Sequence, residues 1–375
     1  MTPNPELQPM PTHNPENERI KHRYFAYLRE AQRRGEQSVD AAAKALSRFE
    51  AYTRFKSFRA FHYEQAIAFK RHLAEQTNAR TRTPLSKATT HSTLAALKAF
   101  FVWLADQPRF RSRVRYSDAN YFNMPERDAR IARTRLDKPF PSLEQVRHVI
   151  QTMPVGDAIQ LRDRALVAFV LLTGARDGAV VTFKLRHLDL AEGCLIHDAR
   201  EVASKFGKSF TTWFFPVGDD VRAIVEEWAG FLTRELLWAP SDPLFPATMV
   251  SCGAGRAFHA AGLAREQWTT ADPVRKAFRR AFAAAGMPYY SPHRLRDTLV
   301  ALGERICQTP EQFKAWSQNL GHSGVLTTFT SYGEVAATRQ AEIMRGIGIE
   351  APPSAQMLTD MAALVAKYQG RPPTS

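Results

Sequence analysis

The sequence predicts a mainly α-helical chain with a small β-sheet, arranged as two domains. Three observations predict it. Its 375 residues suit two domains better than one. Most segments between turn signals carry apolar residues at helical spacing. Two short runs, CLIHDA and FTTWFFPV, are rich in β-formers and flank one turn-like stretch, REVASKFGKS.

Residues 1–17 read as a disordered tail rich in Pro and Asn, without the basic start and apolar run of a signal peptide. Residues 18–107 read as a helical domain of four helices. The first has Ile20, Tyr24 and Leu28 at helical spacing. Ser38 is the expected cap of the second, which is Ala-rich and carries Leu46, Phe49 and Tyr52. The third carries Ile67, Phe69 and Leu73, and a basic loop leads to a strongly apolar fourth, ATTHSTLAALKAFFVWLADQ. Residues 108–140 show little periodicity and hold nine Lys and Arg, as expected of a basic linker. The second domain is expected over 141–349. Ser142 caps its first helix, and DAIQLRDRALVAFVLLTG is a long apolar helix stopped by Gly174. The two strands follow, and from about residue 219 helices dominate. Behind a Pro-Pro break, residues 350–375 hold a last amphipathic helix.

Charge narrows the function. Residues 1–140 hold 26 basic and 14 acidic side chains, so +12 of the net +14 sits in the first part of the chain. Such concentration favours a polyanionic partner. Three scattered cysteines fit neither a disulfide framework nor a metal site, and imply reduced thiols in the cytoplasm. No apolar run reaches the length of a membrane span, so no membrane partner is expected. The spacing of the eleven histidines matches no zinc pattern.

Four local patterns carry chemistry. In LLTGARDGAVV, Arg176 stands just past a helix end, where its fork can meet a phosphate. The turn SKFGK offers Lys205 and Lys208, either of which can protonate a leaving oxygen. In SPHRLRD, Pro292 opens a helix that places His293 and Arg296 three apart on one face. In NLGHSGVLTTFTSYGEV, His322 precedes Tyr332 by ten residues in a polar, Gly-punctuated stretch.

An arginine in a TGAR turn, a hairpin lysine, H-x-x-R, LGH and then a tyrosine, in that order over 142–345, resemble the tyrosine recombinase (phage integrase) family. The resemblance implies a helical core-binding (SAM-like) bundle followed by an α+β catalytic domain. It implies that Arg176 and Arg296 grip the scissile phosphate and that His293 is a general base or proton shuttle. Lys205, with Lys208 in reserve, would be the general acid, His322 a further phosphate ligand and Tyr332 the nucleophile of a 3′-phosphotyrosyl link. It implies double-stranded DNA as substrate, homotetramers on paired sites, and no cofactor, metal or ATP. Two departures stand out. Members often carry an acidic residue three positions after the first arginine, where this chain has Ala179, with Asp177 nearby. The interval from His322 to Tyr332 is one residue longer than in many members. A type IB topoisomerase-like activity, or DNA binding without catalysis on the same scaffold, are the alternatives.

Overall fold

In a computed structural model of the chain, the described residues are 13–78, 81–133, 139–203, 207–252 and 258–321, with Thr359 and Ala363. The chain divides into two compact units, 1–135 and 136–375.

In the first unit, α1 spans Pro15–Ala26, α2 Glu36–Tyr52, α3 Tyr63–Glu75 and α4 Lys87–Asp106. Asn14 caps α1 by accepting from the Glu16 and Asn17 amides, and Ser86 caps α4. The core is largely aromatic. Phe49, Phe58, Phe69, Phe100, Phe101 and Phe122 are fully buried, and Phe61 stacks on Phe101 with centroids 3.7 Å apart. One buried polar knot ties α1 to α2: Asn17 donates to Glu50 at 3.1 Å, and Lys21 reaches the same carboxylate at 2.7 Å.

Two expectations are corrected here. Ser38 does not cap α2; Gly35 holds that position and Ser38 lies in the first turn. Residues 108–133 are more ordered than their composition suggests. They contain a 3-10 helix, Tyr116–Phe122, and α5, Glu126–Arg133, both against α4. Phe110, Val114, Ala119 and Phe122 are buried in the first unit's core, which is the force that orders this basic stretch.

The second unit opens with α6, Leu143–Thr152, capped by a reciprocal pair of bonds between Ser142 and Gln145. Its central helix, α7 (Ala158–Thr173), is buried along almost its whole length. The short α8 spans Asp177–Val180. Strands β1 (Leu188–Asp189), β2 (Cys194–His197) and β3 (Phe210–Trp213) form an antiparallel sheet in the order β1-β2-β3. The β2–β3 hairpin is the one expected, with His197 opposite Phe210. Next come α9 (Asp219–Gly230), β4 (Pro246–Cys252), β5 (Phe258–Gln267), α10 (Asp272–Ala284), α11 (Pro292–Ile306) and α12 (Pro310–Asn319). The β4–β5 ribbon is an element that the expectation of dominant helices from about residue 219 onward does not include. Buried Arg162 of α7 anchors it, donating to the Pro246 carbonyl at 3.0 Å and the Thr248 hydroxyl at 2.9 Å. Among the described residues, no helix is long and apolar enough to cross a membrane.

Candidate active site

Helix α7 ends where its sequence says it should. Gly174 adopts φ 61°, the left-handed conformation that closes a helix and that only glycine takes without strain. The turn delivers Arg176 to the start of α8. Arg296 comes from α11, which Pro292 opens at its first position. The two arginines line one small pocket with Gly174, Ala179, His197, Phe210, Thr212 and Leu320. A roomier cavity, about 710 Å³, lies elsewhere, against α4 and α5 of the first unit. The small pocket is where two cationic side chains, Arg176 and Arg296, are gathered against little solvent.

The two arginines differ in state. Arg296 is 5 % exposed. It donates to the carbonyls of Gly174 and Leu320, the latter at 2.6 Å, so it also ties the end of α7 to the end of α12. Arg176 is half-buried, and among the described residues its guanidinium meets no carboxylate and makes no hydrogen bond. Burial lowers the pKa of both, and the neighbouring Arg176 charge helps push Arg296 down to about 9. Both remain cations at neutral pH, at an electrostatic cost that an anion in the pocket relieves. Ala179 is buried in the pocket wall, and Asp177 pairs with Arg275 of α10 at 2.8 Å. Neither supplies the acidic support common in the family.

The pocket holds a side chain that no sequence motif announces. His197 is buried, and its ring stacks on Phe210 with centroids 4.0 Å apart and planes at 11°. Its Nε2 lies 3.3 Å from the Thr212 hydroxyl, which donates to the Asn319 carbonyl at 3.0 Å. Thr212 has one hydroxyl hydrogen and spends it on Asn319, so Nε2 of His197 carries the hydrogen and donates. Burial and the charges of Arg296 and Arg176 push the His197 pKa down to about 4, so the imidazole is neutral at physiological pH. The only sequence signal was its place on the inward face of a short strand.

The remaining residues of the motif set are placed as follows. His293 is in the first turn of α11 with an exposed side chain, outside the residues that line the pocket. Lys208 is exposed at the base of β3. Lys205, His322 and Tyr332 lie outside the described residues. The hairpin leading to Lys205 is held on one side. The Ala203 amide donates to Thr182 at 3.0 Å, and Glu201 binds Arg186 and His187, the latter at 3.0 Å. Among the described residues, no group of three His, Cys, Asp or Glu side chains could hold a metal ion.

Solved structures that share this fold are site-specific recombinases and integrases. XerH recombinase, in a post-cleavage complex with a palindromic difH substrate, matches with a TM-score of 0.53 at 18 % identity, over 86 % of this chain and 82 % of XerH. A lambda integrase dimer bound to a COC′ core site matches with a TM-score of 0.53 at 15 % identity, over 89 % of this chain and 79 % of the integrase. The Tn1549 transposon integrase bound to transposon right-end DNA gives 0.51 at 15 % identity, over 88 % and 99 %. At such identity these matches establish the fold. No curated protein matches the chain. The model of the phage integrase family matches residues 142–339, more than half of the chain, and the chain belongs to that family.

Proposed function

We propose that this chain is a site-specific DNA recombinase that cuts and rejoins strands through a covalent tyrosine–phosphate bond. The observation that carries the reading is the Arg176 guanidinium, without a carboxylate among the described residues, in one pocket with Arg296. Two such cations stabilise the negative charge that builds on the non-bridging oxygens during phosphoryl transfer.

In this reading Tyr332 attacks phosphorus, forming a 3′-phosphotyrosyl link and releasing a 5′ hydroxyl. A phenol of pKa about 10 needs nearby positive charge or a base to do so at neutral pH. Arg176 and Arg296 hold the phosphate, with His322 as a further donor. His293 takes or shuttles the proton, and Lys205 protonates the leaving oxygen, with Lys208 as the alternative. The covalent link keeps the energy of the broken bond, so rejoining requires no ATP, and the two arginines supply the charge stabilisation that many nucleases take from metal ions. The substrate is double-stranded DNA, engaged by the basic first domain, and four copies act on two sites in the bacterial cytoplasm.

Two assays test this. A nicked suicide duplex loses its leaving fragment after cleavage, so a recombinase accumulates as a covalent adduct; absence of adduct under binding conditions contradicts the reading. Exchange between two sites separates a recombinase from a topoisomerase, which relaxes one supercoiled plasmid without joining new partners.

A further inference from the structure

The strand hairpin and the end of α12 are joined at three points around the arginine pocket. The Thr212 hydroxyl donates to the Asn319 carbonyl at 3.0 Å. The Trp213 amide donates to the Asn319 side chain at 2.7 Å, and that side chain returns a bond to the Trp213 carbonyl at 2.8 Å. One residue on, the Leu320 carbonyl accepts from Arg296. Gly321 then packs on the Phe210 ring so closely that a Cβ there would come within 2.8 Å of it, and Phe210 itself stacks on His197. The location of one of Arg296's carbonyl acceptors therefore depends on β3.

We propose that His197 and Thr212 are positioning residues for the phosphate-gripping arginine: a neutral strut, His197 to Thr212 to the Asn319 carbonyl, sets where Leu320 receives Arg296 and so where the guanidinium points. The inference rests on the recombinase reading and adds two side chains to it. A neutral donor suits the place. A cation at 197 would repel both arginines, and a carboxylate would compete with phosphate for them. The strut is also stiff, because the buried imidazole packs against Phe210 and against Phe183, whose ring lies 5.1 Å away at 79°. Small errors in the placement of a charge-stabilising donor cost rate much more than they cost stability.

The test compares two scissile groups in one nicked duplex, whose sequence is the cleavage site mapped from wild-type adducts. One carries the ordinary phosphate. The other carries a methylphosphonate, in which a methyl group replaces a non-bridging oxygen, so less negative charge develops for the arginines to neutralise. On phosphate, Thr212→Val is expected to slow adduct formation by about tenfold or more, the loss typical of a misplaced oxyanion donor. On methylphosphonate its deficit should shrink to about threefold or less, as should that of Arg296→Ala. Thr212→Ser restores the hydroxyl and should recover the phosphate rate, and His197→Gln, which retains a donor, should exceed His197→Leu. DNA binding by each variant checks that it is folded. Equal rates for Thr212→Val and Thr212→Ser, or equal deficits on both substrates while Arg296→Ala is rescued, would overturn the strut. Failure of the wild-type chain to form any adduct overturns the recombinase reading and the strut with it.

Discussion

Arg296 of α11 donates to the backbone carbonyl of Gly174, the residue that closes α7 two positions before Arg176. A single buried guanidinium thus holds the turn that presents its partner, and through Leu320 it also holds the end of α12. Replacing it removes structure together with charge. Arg296→Ala should lose cleavage and also lower unfolding free energy by about 1–3 kcal/mol, since two buried carbonyls lose their donor. Arg296→Lys keeps a charge but not the fork that spans two acceptors, so it should recover little cleavage. Urea unfolding beside single-turnover cleavage measures both effects.

Arg176 should behave differently. No bond to a described residue depends on its guanidinium. Arg176→Ala should therefore leave stability within about 0.5 kcal/mol of wild type, or slightly raise it, while cleavage disappears. A large loss of stability would show that Arg176 is a structural residue.

Gly174 tests the turn itself. At φ 61° a Cβ would sit 2.9 Å from the Leu320 side chain and 3.0 Å from that of Leu299. Gly174→Ala should cost about 1–3 kcal/mol, from left-handed strain plus overpacking. Cleavage should fall further than DNA binding, because the Gly174 and Leu320 carbonyls that receive Arg296 both move. Thermal unfolding and a gel-shift assay separate the two effects.

His197 gives a pH dependence of defined sign. Burial first, then the charges of Arg296, Arg176 and His187, hold its folded pKa at about 4. In the unfolded chain an ordinary histidine is protonated below about pH 6.5. Between those values the unfolded state binds the extra proton, so stability falls as the solution is acidified from pH 6.5 toward 4 and is fully present above 6.5. The contribution lost is at most about 3 kcal/mol. His197→Gln should flatten this part of the stability profile, and denaturant midpoints at successive pH values would reveal it.

What the sequence disclosed follows physical lines. Signals confined to neighbouring residues were legible: the apolar run of α7 stopped by Gly174, the Ser142 cap, Pro292 opening α11, and the β2–β3 hairpin. The family order of Arg176, Arg296 and their companions was legible for the same reason, since each motif is short. Features created by distant partners were not. Strand β5, FHAAGLAREQ, has no apolar alternation; its pairing with β4 and the Arg162 anchor make it a strand. His197 belongs to no spacing motif, and only folding sets it beside Arg296. Residues 108–133 look like a strap because their basic residues outnumber the four apolar side chains that fix them to the first core.

The central claim is that residue 332 carries the DNA during strand exchange. The direct measurement is to trap the adduct on a nicked duplex, digest it with protease and nuclease, and locate the modified peptide by mass spectrometry. A 3′-phosphonucleotide on Tyr332, absent from Tyr332→Phe and Arg176→Ala chains that still bind the duplex, is the predicted result. Attachment to another side chain, or an undiminished adduct in Tyr332→Phe, would contradict it.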